Sequence, residues 1–337
     1  MSDARVTREG LEGVKPGRES KSWSGGGGGR GDGSQQDHPG DSYYGNSIIN
    51  PPTWEEREIA GYLFAGGLAG ASSILAAGAD LTGRPRLARR AKLAAGAATG
   101  VSLAALIYDL GRPARFLNML RVFKPTSPMS VGVWILTGYA PLVAAGAGSD
   151  VLGRAPRAGR AACLGAAGLG AGVASYTAAL IANTAVPAWH GGRRELPFLF
   201  VGSAAGAGAG FGLIAAPLTE NAPARRMAVL GAATELAAEQ LLERRLGMVA
   251  ETLHTGVAGR RLKLAKGLMA LGALGAATVG RRNRPAAALS GAALLAGSAL
   301  TRFGIFAAGM ASAEDPKYTV EPQRQRLAAA AEDASPG

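Results

Sequence analysis

The chain has little that could hold a metal. Its 337 residues include one cysteine, Cys163, and three histidines. No disulfide can close within the chain, and one thiolate cannot hold an iron–sulfur cluster or a structural zinc. Cys163 lies in an apolar run and reads as a small buried hydrophobe. His190 and His254 are the histidines outside the N-terminal tail. One follows a Pro187 break and the other lies in a polar segment, so they do not read as a facing pair of haem ligands. Aromatics are also sparse, at 6% of a chain that is 47% hydrophobic. Much of the apolar content is alanine, accompanied by 51 glycines. Such runs suit helices that approach closely in lipid, where packing drives association. A concentrated basic patch is missing despite a net charge of +12. Arg and Lys are scattered through short segments between apolar runs, which argues for juxtamembrane positions and against a nucleic-acid partner. No cleavable signal peptide is visible. Residues 1–42 are polar, with Gly25 to Gly29 as a flexible run, and are expected to be disordered.

What is there is a series of apolar runs long enough to cross a bilayer. Mean hydropathy is only +0.12 because two polar tails dilute the middle. About eight spans fit the length. They are read near Ile59–Ala79, Leu93–Leu110, Val131–Ala147, Ala162–Val186, Leu196–Leu218, Met227–Leu246, Gly267–Val279 and Pro285–Met310. A polar segment, Gly247–Lys266, separates the sixth from the short seventh. Basic residues in the loops after odd and after even spans are nearly balanced, so the positive-inside rule does not orient the chain. Gly66 and Gly70 form a small-xxx-small pair in the first span. Gly206 to Gly212 has the look of a dinucleotide loop, but it sits inside an apolar run with no preceding soluble strand. It reads as close helix packing.

The most telling stretch is Asp109-Leu110-Gly111-Arg112-Pro113-Ala114-Arg115-Phe116, followed by Lys124-Pro125-Thr126-Ser127-Pro128-Met129-Ser130. It is a charged, proline-punctuated connection between two spans, and it marks one membrane face as a docking or reaction surface. Together with Tyr43-Tyr44-Gly45, Trp54, Gly66 to Gly70, Gly132, Trp134, Ser175-Tyr176-Thr177 and Pro187-Ala188-Trp189, it resembles the NrfD / polysulfide-reductase membrane-subunit family. The likeness covers roughly residues 43–200 by motif and the rest by helix pattern.

The resemblance implies an all-α integral membrane fold of about eight transmembrane helices as two four-helix bundles. The corresponding division is a disordered polar tail at 1–53, a first bundle with a quinone site at 54–190, a second bundle at 191–312, and a polar tail at 313–337. It further implies a multi-pass protein of the bacterial plasma membrane that binds menaquinone or ubiquinone. Such a subunit anchors a ferredoxin-like iron–sulfur subunit and a molybdopterin catalytic subunit, with no haem or iron–sulfur cluster of its own.

Within that frame Tyr176 matches the position that supplies a quinone-contacting tyrosine, since a phenol donates to a quinone carbonyl at neutral pH. Tyr62 stands where some relatives place a histidine, which keeps a hydrogen bond but loses a group titrating near neutrality. Asp109 and Arg112, one turn apart, can pair; Asp109 would pass protons to a bound quinone while Arg112 tunes it. The alternative is a structural helix-end pair. His190 is a candidate proton relay or partner contact. Glu235 and Glu239, with Glu243, recur every fourth residue and share one helix face. They mark either a proton path or a solvated stripe on an amphipathic helix. Two other readings stay open: an ion- or proton-translocating protein without a redox role, and a passive anchor.

Overall fold

The computed structural model describes residues 5–7, 10–12, 48–50, 52–109 and 118–333. In the unit of residues 1–39, β1 (Arg5–Thr7) pairs antiparallel with β2 (Gly10–Glu12), Val6 opposite Leu11. The remainder is helical: α1 (Glu56–Leu81), α2 (Pro85–Asp109), α3 (Pro128–Leu152), α4 (Pro156–Ala182), α5 (Pro187–Gly191), α6 (Leu196–Ala215), α7 (Ala222–Leu246), α8 (Glu251–His254), α9 (Gly256–Ala277), α10 (Arg284–Glu314) and α11 (Lys317–Asp333).

Local chemistry sets the helix ends. Proline occupies the first turn of α3, α4, α5, α6, α7 and α10, where its missing N–H has no helical partner to lose. Asn283 caps α10, its Oδ1 accepting from the Ala286 amide at 3.1 Å. Gly83 and Gly153 take positive φ (69° and 62°) in the turns that follow α1 and α3, a conformation costly for any residue with a Cβ.

Consecutive long helices run antiparallel. The starts of α1, α3, α6 and α9 therefore share one end of the molecule with the finishes of α2, α4, α7 and α10. This loop face carries the connection between α2 and α3, together with α5, α8 and α11. The opposite arginine face carries the turns that follow α1, α3, α6 and α9. At the centre α1 and α6 lie side by side in the same direction, Gly67 near Ala204 and Gly208 over Ala71. Close approach is built from facing glycines. A Cβ on Gly70 would strike the carbonyl of Gly170, and the reverse holds, so α1 and α4 touch through their backbones.

Six of the described helices are long and apolar enough to cross a membrane: α1, α2, α3, α4, α6 and α10. The eight-span count is not confirmed. Helix α7 has 25 residues and α9 has 22, yet both carry too many charges to qualify on composition. The expected seventh span, Gly267–Val279, is corrected: α9 begins eleven residues earlier, at Gly256, and absorbs much of the segment read as a polar connection. Hydropathy averaging hid it, because Arg260, Arg261, Lys263 and Lys266 alternate with Ala258, Leu262, Ala265 and Met269, which are buried. The fourth span stops at Ala182 instead of continuing to Val186. The polar C-terminal segment forms α11 over most of its length. A division into two four-helix bundles is likewise not confirmed. Residues 40–337 form one compact unit, and α1 packs on α6 and α10 as well as on α2 and α4.

Candidate functional site

The loop face gathers most of the residues expected to carry function. Tyr62, in the second turn of α1, is buried among Ile59, Ile181 and Trp189, and its carbonyl accepts from Ser102 Oγ of α2 at 3.3 Å. Tyr176, near the end of α4, lies against Gly132 at the start of α3; a side chain at 132 would occupy the space of the ring. The glycine therefore opens the slot into which the phenol fits. Asp109 closes α2. Its side chain, the neighbouring Arg112 and the motif residues Tyr43-Tyr44-Gly45 lie outside the described residues. The connection leading to α3 is tied by Ser130, whose Oγ accepts from the Lys124 amide at 3.0 Å and donates to the Val122 carbonyl at 3.1 Å. Phe123 meets Trp134 edge-on at 6.0 Å, and both rings are exposed.

The Pro187-Ala188-Trp189 motif has a packing role. Trp189 is buried, donates from Nε1 to the Ile305 carbonyl at 2.9 Å, stacks on Trp54 and leans on Phe306. The Ala188 amide donates to Ser312 Oγ at 3.1 Å. Together these contacts fasten α5 to α10. His190, one residue on, is exposed and lines a cavity at the same face with Arg193, Arg245 and Tyr318. Outside the spans, Lys317 of α11 holds Glu251 of α8 at 2.8 Å. The hydrogen bond from Lys317, then its charge, draws the Glu251 carboxyl below its ordinary pKa.

In the second half the carboxylates turn inward. Glu235 and Glu239 are both buried, on the face of α7 that meets α9 and reaches Thr301 of α10. Thr301 Oγ1 of α10 donates to Glu235 Oε1 at 2.5 Å. A small cavity joins Glu235, Glu239, Lys266 and Thr301. Lys266 of α9 bridges Glu239 at 3.3 Å and Glu243 at 3.5 Å, and His254 Nε2 lies 3.8 Å from Glu243. Glu243 and Lys266 are part-exposed and His254 is exposed, so the column opens at the loop face. The solvated-stripe reading therefore fits only the outer end of the row.

At the inner end stands a residue that the sequence reading passed over. Arg302 is fully buried, at 0% exposure. Its Nη2 donates to the Phe200 carbonyl at 2.7 Å, and its guanidinium lies 3.7 Å from the centroid of the Phe200 ring. Among the described residues, Arg302 Nε and Nη1, and Glu235 Oε2, have no hydrogen-bond partner. The signal was present: an arginine near the middle of the eighth apolar run is costly in lipid and marks a functional position by default. It lies about 18 Å along α10 from Glu314, at twelve residues of 1.5 Å rise. Lys92, in the second turn of α2, is a second buried cation. It is 7% exposed and binds Asp80 of α1 at 2.8 Å and Asp150 of α3 at 3.3 Å, clamping three helices at the arginine face.

The family model described as polysulphide reductase, NrfD matches residues 50–250. The chain belongs to this family. The matched stretch takes in Tyr62, Tyr176, His190, Glu235 and Glu239 and ends before Thr301 and Arg302. No curated protein matches the chain. Membership of the NrfD family agrees with the six apolar helices in making this an integral membrane protein.

Proposed function

We propose that this NrfD protein is the membrane anchor and quinone-binding subunit of a multi-subunit oxidoreductase. The observation that carries the reading is that Tyr62, Tyr176 and the Asp109 end of α2 all lie towards the face that the α2–α3 connection joins. Menaquinone or ubiquinone is the substrate there. A ferredoxin-like iron–sulfur subunit docks on the loop face and links it to a molybdopterin catalytic subunit. Electrons pass one at a time; two electrons and two protons convert quinone to quinol, and oxidation releases them. The chain supplies the seat and the hydrogen bonds. Tyr176 donates to a carbonyl, Tyr62 supports from α1, and Asp109 moves the proton with Arg112 beside it.

Helices α7 and α9 complete the membrane unit to about eight spans. They cross as a pair whose charged faces are turned towards each other, which is how buried ionisable groups are tolerated in lipid. Their column from His254 and Lys266 through Glu239 to Glu235 is a proton route from the loop face to mid-depth, and His190 at the same face is a further relay. That column also motivates a second reading, proton translocation without redox work.

The test is binding of a quinone analogue to the purified complex, with Tyr176→Phe and Asp109→Asn compared to the parent. Weaker binding or slower turnover in either supports the assignment. Unchanged binding and turnover in both would remove these site residues, and no binding at all in the parent would leave a passive anchor. Proton flux in liposomes with the chain alone would favour the second reading; flux that needs quinone and the redox partners supports the first.

A further inference from the structure

The acidic groups of the arginine face are already engaged. Asp80 and Asp150 are spent on Lys92, and Glu220 Oε2 accepts from the Leu87 amide at 3.0 Å. Arginines nevertheless crowd this end of the molecule. Arg225 and Arg226, in the first turn of α7, line one notch with Arg281, which follows α9. The charges of Arg281 and Arg226 bear repulsively on Arg225. Arg225 donates to Asn221 Oδ1 and Arg84 to the Thr82 carbonyl. Among the described residues none of Arg84, Arg225, Arg226 and Arg281 has an ion-pair partner. Like charges held together without an anion are unfavourable, so the fold has gathered a cationic site that lacks its counter-charge.

A greasy groove starts at the same place. Arg84 and Arg226 stand at its mouth, and Ile74, Val201, Met227 and Leu230 line it between α1, α6 and α7. Arg226 and Leu230 belong to both the notch and the groove, which makes them continuous. The groove reaches Thr234, two turns or about 12 Å below Arg226 along α7. Its apolar walls are uncovered: Leu230 is 68% exposed and Ile74 39%.

We propose that this surface binds an anionic phospholipid, with the phosphate between Arg225, Arg226 and Arg281 and an acyl chain along the groove of Ile74, Val201, Met227 and Leu230. The guanidinium fork matches a phosphate diester, and basic pockets between membrane helices are where acidic headgroups lodge. Inorganic phosphate satisfies the arginines and leaves the groove empty. A neutral isoprenoid fills the groove and leaves the arginines uncompensated. A phosphodiester on an acyl chain meets both, running from a charged rim into an apolar depth in the direction a bilayer dictates. The bound lipid covers the seam of α1, α6 and α7. The inference does not depend on the quinone reading.

The experiment is native mass spectrometry of the detergent-purified full chain with phosphatidylglycerol, with phosphatidylcholine or with inorganic phosphate, joined to thermal melting in the same mixtures. The expected result is retention of phosphatidylglycerol over phosphatidylcholine by at least tenfold, with a rise in melting temperature that inorganic phosphate does not reproduce. The triple variant R225Q/R226Q/R281Q should lose that preference, and Thr234→Trp, which fills the exposed lower groove, should weaken retention with every arginine intact. R154Q/R157Q/R160Q on the same face is expected to leave the preference unchanged. Equal retention of the two lipids by the parent chain would overturn the proposal, whether or not the triple variant folds. So would an equal loss in the R154Q/R157Q/R160Q control, or full replacement of the effect by inorganic phosphate.

Discussion

The two halves of the molecule treat charge in opposite ways. Through α1 to α4 the ionised groups stay near the membrane ends, and the middle holds nothing more polar than hydroxyls, such as the Ser73–Tyr139 hydrogen bond at 2.7 Å. Lys92 is buried, yet at the arginine face and with two carboxylates in contact. From α6 to α10 a carboxylate and a guanidinium occupy mid-depth, and among the described residues Glu235 Oε2 and Arg302 Nε and Nη1 have no hydrogen-bond partner. Buried charge that is fully paired reads as structure; buried charge that is half paired stores an interaction which a proton or a ligand can complete.

The largest effect should come from breaking the paired charge. Lys92→Met leaves Asp80 and Asp150 facing each other without a cation, and should cost about 3 kcal/mol in thermal or denaturant unfolding of the detergent-solubilised chain. Arg302→Met should cost less. It gives up one hydrogen bond to the Phe200 carbonyl and the cation over the Phe200 ring, yet it removes a buried charge whose Nε and Nη1 have no partner among the described residues, so the unfolding free energy should fall by about 1 kcal/mol. Quinone-linked proton uptake should nevertheless drop in the Arg302 variant, and a destabilisation equal to that of Lys92→Met would erase the contrast between the halves.

Smaller effects separate seat from scaffold within the first half. Tyr176→Phe keeps the ring against Gly132 and deletes one hydroxyl, so stability should hold while affinity for a quinone analogue falls about tenfold, the value of one hydrogen bond. Gly132→Ala would fill the ring's slot and should damage both readouts together.

The smallest effect lies outside the membrane, where Glu251 and Lys317 clip α11 to α8. The folded Glu251 carboxyl sits below its ordinary pKa because Lys317 donates to it and carries opposite charge. Its contribution is therefore present above the ordinary carboxylate pKa and disappears as pH falls through the lowered value. The Lys317 ammonium is raised, chiefly by the same hydrogen bond, so its share is lost only as pH climbs past that raised value. Limited proteolysis of α11 should accelerate only as pH falls below the ordinary carboxylate pKa, and Lys317→Ala should make it fast and insensitive across that range.

Legibility followed the range of the interaction. The stripe of Glu235, Glu239 and Glu243 was readable, because residues four apart share a helix face whatever surrounds them. That its inner two members are buried depended on α9 and α10 arriving opposite. The basic residues of α9 depressed its average hydropathy, so a helix was read as a connection until its alternation with buried Ala258, Leu262 and Ala265 became visible in three dimensions. The Pro-Ala-Trp motif was legible as a motif but not as a core pin, since Ile305 and Ser312, which receive its hydrogen bonds, lie more than a hundred residues away.

Composition and local spacing alone determined that this is a helical membrane protein, where proline and glycine begin and end many of its helices, and which family it joins. These depend on transfer free energy and backbone geometry within a few residues. Tertiary structure alone decided which polar groups meet: Lys92 with Asp80 and Asp150, Thr301 with Glu235, and three arginines that have no ion-pair partner among the described residues. Such pairings arise only when glycine-lined helices close to backbone contact, and no local pattern encodes which distant helix will occupy the space a missing side chain leaves.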